Sequence, residues 1–326
     1  MSGPIGVIGA GAWGTALAQV AASNGHEVRL WARDLALVDA INADHENAAY
    51  LPGIPLSPLI RATGDLAWVA EAAANLIVTP AQAMRTVLAQ LPANAQALVV
   101  CSKGIEAGTH LLMSEVAQEQ HPASPVLVLS GPTFAHEVAR GLPTAVTLAG
   151  HDPATRALLA TAIAAPHFRP YASSDVIGAE IGGAVKNVLA IACGVVDGAG
   201  LGQNARAALI ARGFAEMTRF GAAKGARAET LAGLSGLGDL VLTCSSTASR
   251  NFSLGVGIGR GEAAVHLLTN RRTVAEGAYT APVLLEAAQA ARVEMPITAA
   301  VCRLLAGEAV RGVIDDLLAR PLKEEV

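Results

Sequence analysis

The feature that most constrains the fold is a glycine pattern directly behind the first apolar run of the chain. Ile5–Ile8 reads as a short buried strand, and it leads into Gly9, Gly11 and Gly14 ahead of a helical stretch over Thr15–Asn24. Gly-x-Gly-x-x-Gly alone is weak evidence for dinucleotide binding, but its position between a strand and a helix is the structural context that such binding requires. The glycines permit a tight turn, close approach of a ligand to the backbone, and tight packing of helix on strand. The pattern predicts a unit that binds the pyrophosphate of a dinucleotide at a helix N-terminus.

The first half of the chain continues the alternation of apolar runs and amphipathic segments. Strands are predicted at Ile5–Ile8, Glu27–Trp31, Leu76–Val78, Leu98–Cys101, Val126–Leu129 and Ala145–Leu148. Helical patterns such as Gln82–Gln90 and Thr109–Gln120 separate several of them. Because strands joined by helical crossovers pair in parallel, the pattern predicts an α/β fold with a Rossmann-type, doubly wound, mostly parallel sheet.

From about Ser174 the character of the sequence changes. Strand-like runs become rare, and helices are predicted at Val176–Val195, Arg206–Ala223, Ala281–Arg292 and Ile297–Ala306. We therefore expect a dinucleotide-binding domain over residues 1–173 and an all-α substrate-binding and catalytic domain over residues 174–326. No low-complexity linker separates them, so we expect direct packing, with ligands at the carboxyl ends of the strands.

Composition limits the kinds of partner. Hydrophobic residues make up 52% of the chain, yet the richest stretch, residues 177–196, contains Glu180, Lys186 and Asn187. About 18 uninterrupted apolar residues would indicate a membrane-spanning helix, and no stretch provides them. The net charge of −4 argues against nucleic acid or an anionic membrane as the main partner. The N-terminus lacks the basic leader of a signal peptide.

The cysteines and histidines suggest a reducing compartment and no metal. Cys101, Cys193, Cys244 and Cys302 are widely spaced, and no Cys-x-x-Cys or His-x-x-x-His pattern occurs. Scattered cysteines without such spacing are typical of reduced thiols in a cytoplasmic protein. We therefore predict a cytoplasmic protein without a metal site.

The end of the second strand normally selects the dinucleotide. An acidic residue there binds a ribose 2′-hydroxyl, whereas an arginine accepts a 2′-phosphate. This chain has Arg33 followed by Asp34. Arg33 favours NADP and Asp34 leaves NAD open, so both cofactors remain candidates.

A second glycine cluster, at residues 255–259, superficially resembles the first. It follows the polar segment Ser249–Ser253, and no strand precedes it. We interpret it as a set of packing positions inside helical structure.

Two lysines are candidate functional groups. Lys186 lies inside a long apolar helical pattern, where burial of an ammonium costs free energy unless a partner compensates. Gly182 and Gly183, one turn earlier, are expected to leave a bare surface for a ligand beside the amine. Lys103 follows a predicted strand and should face the ligand-binding edge of the sheet. Each lysine also has a non-functional alternative: Lys186 could snorkel from the edge of the helix into solvent, and Lys103 could be a solvated loop lysine.

A third candidate lies in the glycine- and serine-rich segment of residues 232–261. Arg250 and Asn251 precede a helical pattern there. A guanidinium, an amide and a helix N-terminus at one place are suited to a phosphate. A solvated loop arginine is the alternative.

Several motifs together resemble bacterial NAD(P)-dependent glycerol-3-phosphate dehydrogenase, and the resemblance covers nearly the whole chain. The matching segments are Gly9–Ala18 (GAGAWGTALA), Val100–Glu106 (VCSKGIE), Ser130–Ala135 (SGPTFA), Gly183–Ala190 (GAVKNVLA) and Gly236–Asn251 (GLGDLVLTCSSTASRN). Five motifs in one order are far more specific than the glycine pattern. The resemblance implies interconversion of sn-glycerol 3-phosphate and dihydroxyacetone phosphate, which supplies phospholipid synthesis.

The resemblance also implies residue roles. Lys186 matches the catalytic lysine that exchanges the proton at the C2 oxygen, and Asp239 is expected to orient it. Substrate-binding positions are Lys103, Gly131, Thr133, Lys186, Asp239, Ser249, Arg250 and Asn251. Besides Gly9, Gly11 and Gly14, cofactor-binding positions are Ala12, Trp13, Arg33, Lys103, Ala135, Arg250, Val274 and Glu276.

Two competing functions remain open from the sequence. A 3-hydroxyacid dehydrogenase of the same architecture would recognise a carboxylate and has no evident need for the Arg250–Asn251 pair. A catalytically silent dinucleotide sensor would not need Lys103, Lys186 and Asp239 together. The expected partner is a small-molecule substrate, without nucleic acid and without a membrane span, and a homodimer is kept as a hypothesis.

Overall fold

The computed structural model describes residues 3–92, 96–269 and 275–321. The strands are β1 Ile5–Ile8, β2 Val28–Trp31, β3 Ile60–Thr63, β4 Ala74–Ile77, β5 Ala97–Val100, β6 Val126–Ser130, β7 Thr144–Gly150 and β8 Phe168–Ser173. The helices of the first half are α1 Ala12–Ser23, α2 Leu35–Asp44, α3 Leu66–Ala70, α4 Met84–Leu88, α5 Met113–Gln120, α6 Ala135–Ala139 and α7 Pro153–Ile163, with a 3₁₀ turn at Ala81–Ala83.

The remaining elements are helical. They are α8 Val176–Gly198, α9 Gly202–Lys224, α10 Ala228–Leu231, α11 Asp239–Thr243, α12 Arg250–Gly259, α13 Ala264–Thr269, α14 Glu276–Ala290, α15 Pro296–Leu305 and α16 Val310–Leu318. A π-helical turn over Leu234–Gly238 leads directly into α11. The prediction that helices dominate after the sheet is confirmed.

The strands form one sheet in the order β3-β2-β1-β4-β5-β6-β7-β8. All neighbouring pairs are parallel except β6 and β7, which are antiparallel. The chain passes from β1 outward to β2 and β3, then returns to the other side of β1 with β4. Strand order reverses at that point, and open α/β sheets bind ligands beside such a reversal, at the carboxyl ends of the strands. The predicted doubly wound, mostly parallel sheet is confirmed.

The predicted strands all occur, with ends moved by two residues at most. Two strands were missed. β3 alternates buried and exposed residues, and β8 is an edge strand with a proline and exposed side chains, so neither presents the apolar run on which prediction relied. Helix α5 begins at Met113 and not at Thr109, because a turn with a positive φ at His110 precedes it.

The chain folds into two compact units that are interleaved along the sequence. The first comprises Met1–Gly183 and Gly225–Asp239, and the second comprises Ala184–Lys224 and Leu240–Val326. Helix α8 therefore belongs to the first unit up to Gly183 and to the second unit beyond it. The linear division at residue 173 stays a prediction about how the chain is partitioned.

Helix α8 is the one helix of the described ranges that is long and apolar enough to cross a membrane. Within its most apolar 18-residue stretch, 94% is buried inside the protein. The central helix of a folded unit shows the same burial, so length and apolarity alone are weak grounds for a membrane span.

Within the second unit, α8 and α12 touch through glycines. A Cβ at Gly194 would overlap the carbonyl oxygen of Phe252 and lie 2.9 Å from the Cα of Gly255. One turn further along each helix, a Cβ at Gly259 would lie 3.0 Å from the Cα of Gly198. The second glycine cluster is thus a helix-packing surface, which confirms its interpretation from sequence.

Candidate active site

The glycine pattern forms the turn that the sequence predicts. Gly9 has φ +120°, and a Cβ there would lie 2.7 Å from the carbonyl oxygen of Val78. Gly14 has no room for a side chain, because its Cβ would overlap the carbonyl oxygen of Gly9. Gly11 faces open space, with nothing within 4 Å of its added Cβ, and it caps the N-terminus of α1. Tight turn, open approach and close packing are therefore all present, as a dinucleotide pyrophosphate requires.

Two further predicted cofactor positions begin helix α1. Ala12 and Trp13 are both partly buried. The indole Nε1 of Trp13 is buried and has no hydrogen-bond partner within the described residues. Buried polar atoms without a partner need an explanation, and a bound ligand is one.

Arg33 and Asp34 follow β2 and are both exposed. The Asp34 side chain accepts a hydrogen bond from the backbone N–H of Ala36 at 3.0 Å and caps helix α2. This carboxylate therefore has a structural task, whereas the guanidinium of Arg33 projects into solvent where an anion could reach it.

Lys103 follows β5 and forms an ion pair inside the first unit. Its Nζ lies 2.7 Å from Oδ2 of Asp239, the first residue of α11. Asp239 is fully buried, and the lysine side chain is 14% exposed. Removing one partner of such a pair leaves a buried charge uncompensated, so the two side chains hold each other in place. The expectation that Asp239 orients Lys186 stays a prediction.

The segment between β6 and α6 carries three more predicted positions. Gly131 has φ +155°, and a Cβ there would approach the Cα of Val146 to 2.9 Å. Its carbonyl oxygen accepts from Thr133 Oγ1 at 3.3 Å and from Lys103 Nζ at 3.5 Å. Ala135 is the first residue of α6 and is partly buried. The structure thus brings Gly131 and Thr133 together with Lys103 at the carboxyl edge of the sheet.

In the second unit, Lys186 is buried, with 5% of its surface exposed. Its ammonium donates a hydrogen bond to Oγ1 of Thr243, the last residue of α11, at 3.1 Å. The snorkelling alternative is wrong, because the amine lies inside the protein and not at its surface.

Asn251, on α12, hydrogen-bonds residues of α8 and α14 and so connects three helices of the second unit. Its Nδ2 donates to Oδ1 of Asn187 at 3.0 Å, and its Oδ1 accepts from the backbone N–H of Gly277 at 2.9 Å. Asn187 follows Lys186 on α8, and Gly277 follows Glu276, the half-buried first residue of α14. No hydrogen bond among the described residues uses the second amide hydrogen of Asn251, which could therefore serve a ligand.

The N-terminus of α12 is built as the sequence predicts. Ser249 is buried and caps the helix by accepting from the backbone N–H of Phe252 at 3.3 Å. Arg250, the first helical residue, is exposed. The arginine, Asn251 and a helix N-terminus therefore occur at one place in the second unit, with a positive charge and a dipole suited to an anion.

The expected bare surface at Gly182 and Gly183 is wrong. A Cβ at Gly182 would overlap the carbonyl oxygen of Ser235 in the π-helical turn. A Cβ at Gly183 would lie 3.1 Å from Ser130 Oγ and 3.3 Å from the side-chain carbons of Lys103. Both glycines therefore make room for other parts of the first unit to pack against α8.

Val274 lies outside the described residues, so its predicted cofactor contact is a proposal only. Thr243 and Asn187, which contact Lys186 and Asn251, were not among the predicted site residues. Asn187 lies in the segment Gly183–Ala190 and Thr243 in the segment Gly236–Asn251, two segments that the sequence analysis selected because of other residues. Their position in these segments was the signal that could have identified them.

All four cysteines lie in the described ranges, and none of them forms a disulfide. Burial raises the pKa of Cys101 and raises that of Cys302 to about 11, so neither thiol is activated. The described ranges contain no group of three or more His, Cys, Asp or Glu residues that could hold a metal ion.

A dinucleotide turn at the order reversal of a Rossmann-type sheet, with a buried lysine in a helical unit, defines a nucleotide-dependent oxidoreductase. Models of the N-terminal and C-terminal parts of NAD-dependent glycerol-3-phosphate dehydrogenase match residues 4–156 and 175–312. The chain belongs to this family.

Individual relatives agree. A protein of Sphingopyxis alaskensis named glycerol-3-phosphate dehydrogenase [NAD(P)+] 1 is 62% identical over 98% of this chain and 97% of its own length. One of Erythrobacter litoralis, named glycerol-3-phosphate dehydrogenase [NAD(P)+], is 62% identical over 100% of this chain and 98% of its own. The crystal structure of glycerol-3-phosphate dehydrogenase from Coxiella burnetii superposes with a TM-score of 0.93 at 39% identity, covering 98% and 99% of the two chains.

Proposed function

We propose that this protein interconverts sn-glycerol 3-phosphate and dihydroxyacetone phosphate with NAD(P)(H). The observation that carries the proposal is the buried Lys186 amine beside Thr243, in a family of glycerol-3-phosphate dehydrogenases. The names of the relatives support this activity over that of a 3-hydroxyacid dehydrogenase.

The first unit fits a dinucleotide. A side chain at Gly14 would destroy the turn, and Gly11 leaves its backbone open at the N-terminus of α1. Gly9, Gly11 and Gly14 would hold the pyrophosphate, and Arg33 would meet a 2′-phosphate. We assign Ala12, Trp13, Ala135, Val274 and Glu276 to the same cofactor, with Lys103 and Arg250 near it. When bound, NAD(P)H supplies a hydride to C2 of the substrate.

The second unit supplies a phosphate anchor. A phosphate monoester carries nearly two negative charges at neutral pH and accepts several hydrogen bonds. Arg250 offers a fork of donors, Asn251 offers its remaining amide hydrogen, and Ser249 offers its hydroxyl. Binding energy from this remote group orients the reacting carbon, so that the phosphate contributes to kcat as well as to KM.

Lys186 acts as the acid and base. During reduction the C2 oxygen gains negative charge, and Lys186 donates a proton to it. During oxidation Lys186 accepts the proton from the C2 hydroxyl. Positioned proton transfer of this kind contributes about 10²- to 10⁴-fold to a rate. Lys103, Gly131, Thr133 and Asp239 are assigned to the substrate from the first unit.

The substrate assignment is tested by steady-state kinetics. Dihydroxyacetone phosphate, unphosphorylated dihydroxyacetone and short 3-oxoacids are compared, each with NADH and with NADPH. We expect dihydroxyacetone phosphate to give the highest kcat/KM. A preference for an oxoacid would overturn the assignment.

The role of Lys186 is tested by Lys186→Met. We expect turnover to fall at least about 10²-fold while NADPH binding stays nearly intact. Lys224→Met is the matched control, because Lys224 is the last residue of α9 and is partly exposed. Turnover of Lys186→Met equal to that of the control would remove Lys186 from the mechanism.

We also propose that the activity supplies glycerol 3-phosphate to phospholipid synthesis in the cytoplasm. The four cysteines form no disulfide and three of them are buried, which supports a reducing compartment. A homodimer is the proposed assembly, and light scattering of the purified protein tests it.

A further inference from the structure

Ser130 stands out among the residues that the proposed function leaves unused. It is the last residue of β6, at the carboxyl edge of the sheet, and it is 3% exposed. Its hydroxyl has no hydrogen-bond partner within the described residues. Burying a hydroxyl without a partner costs about 1–3 kcal/mol, so such a group is rarely kept without a reason.

The surroundings of this hydroxyl point to a ligand. Ser130 Oγ and the Cγ and Cδ atoms of Lys103 all lie within 3.3 Å of the position that a Cβ on Gly183 would take. The next residue, Gly131, accepts from Lys103 Nζ. The unpartnered hydroxyl is therefore flanked by positions assigned to the substrate. By contrast, Ser102, two residues beyond the adjacent strand β5, donates its hydroxyl to the carbonyl oxygen of Thr79 at 2.6 Å.

We propose that Ser130 is a further ligand-contacting residue, whose hydroxyl hydrogen-bonds an uncharged hydroxyl or carboxamide of the bound reactants. A serine hydroxyl both donates and accepts, which suits a neutral group of the same kind. Two groups have this chemistry: the C1 hydroxyl of the three-carbon substrate and the carboxamide of nicotinamide. The inference rests on the proposed function.

The first experiment separates a ligand role from a structural one by the sign of a stability change. Thermal unfolding of Ser130→Ala is measured without ligand, with NADPH, and with NADP plus glycerol 3-phosphate. Because the free protein loses an unsatisfied hydroxyl, its Tm should stay equal or rise, while the gain in Tm on ligand binding should shrink. Ser23→Ala is the control, because Ser23 is an exposed residue at the end of α1 whose hydroxyl donates to the Val20 carbonyl oxygen at 2.8 Å, so its loss should leave the gain in Tm on ligand binding unchanged.

The second experiment identifies the contacted group. KM is compared for dihydroxyacetone phosphate and for hydroxyacetone phosphate, which lacks the C1 hydroxyl, and the Kd of NADH is measured by fluorescence. Ser130→Ala should raise KM for dihydroxyacetone phosphate about three- to tenfold and leave hydroxyacetone phosphate unaffected if the C1 hydroxyl is the partner. An equal rise in the Kd of NADH would instead identify the carboxamide.

The inference is overturned if Ser130→Ala leaves every Kd and KM within twofold of wild type, whatever the Tm of the free protein does. Wild-type turnover of dihydroxyacetone phosphate in the same assays shows whether the proposed function itself holds, so the two failures are distinguishable.

Discussion

Glu180 provides the sharpest test of the structure, because a buried carboxylate makes stability depend on pH. Glu180 lies on α8 in the first unit, and its Oε1 accepts from the backbone N–H of Ser114 at 2.8 Å. Its other oxygen accepts from the Ser114 hydroxyl, so the side chain caps the N-terminus of α5. Burial raises the pKa of Glu180 to about 7, and the hydrogen bonds from Ser114 oppose the rise without reversing it.

The sign and size of the effect follow from linkage. The pKa in the folded state is above the unfolded value, so the folded protein retains the proton over a range in which the unfolded chain releases it. Stability from this group is therefore greatest below about pH 4.5 and is lost as the pH rises through about 7. One pKa unit corresponds to about 1.36 kcal/mol, so the loss amounts to roughly 3 kcal/mol.

The perturbation is Glu180→Gln, which keeps the shape and removes the titration. Urea unfolding is followed by tryptophan fluorescence between pH 4 and pH 8. All three tryptophans, Trp13, Trp31 and Trp68, belong to the first unit, so the signal reports on the unit that contains Glu180. Other carboxylates titrate equally in both proteins, and the difference isolates one group. Between pH 4 and pH 8, the free energy of unfolding of Glu180→Gln should increase by roughly 3 kcal/mol relative to that of wild type.

Glu71→Gln is the control, because Glu71 is 71% exposed and its 3.5 Å contact with Arg29 is a surface ion pair. The control should show no pH-dependent difference from wild type. Identical pH dependence in wild type and Glu180→Gln would refute the reasoning. If instead the free energy of unfolding of wild type increased relative to that of Glu180→Gln as the pH rises, Glu180 would be ionised in the folded state.

Two further predictions concern the cofactor. Gly14→Ala should weaken binding of NADH and NADPH at least about tenfold, because the added methyl group displaces the turn. The control is Gly312→Ala on α16, whose added Cβ meets nothing within 4 Å and which should bind both cofactors normally. Fluorescence titration measures both Kd values, and normal binding by Gly14→Ala would contradict the assigned turn. Arg33→Ala should raise the Kd of NADPH about tenfold and leave that of NADH nearly unchanged, since it removes a charge-assisted hydrogen bond; equal losses for both cofactors would show that Arg33 does not recognise the 2′-phosphate.

The sequence predicted those parts of the site that depend on local pattern. The glycine turn, the strand ends before Lys103 and Gly131, and the helix N-terminus at Arg250 all follow from runs of a few residues whose geometry is fixed locally. The glycine turn, Lys103 and Gly131 lie where the prediction placed them, because parallel strands have their carboxyl ends at one edge of the sheet.

Features that depend on which element packs against which were not predictable. The glycines Gly182 and Gly183 looked like open surface, since the sequence does not show that the π-helical turn and Lys103 pack there. In the sequence, Ser130 is only the first residue of the motif Ser130–Ala135. Its burial and the lack of a hydrogen-bond partner for its hydroxyl among the described residues are visible only in the structure. Glu180 interrupts an apolar pattern, and only the approach of α5 explains it. Tertiary contacts decide such cases, and a single sequence does not encode them in a local pattern.

The glycine contact between α8 and α12 has a genetic consequence. At any of its four glycines, changing either of the first two codon bases replaces hydrogen with at least a methyl group, or ends the chain. At Gly194 that methyl group would overlap the carbonyl oxygen of Phe252. Because this oxygen is a backbone atom, a change of side-chain rotamer cannot relieve the overlap. Third-base changes are almost the only mutations this contact tolerates, so the helix that carries Lys186 should drift in sequence mainly on its other faces.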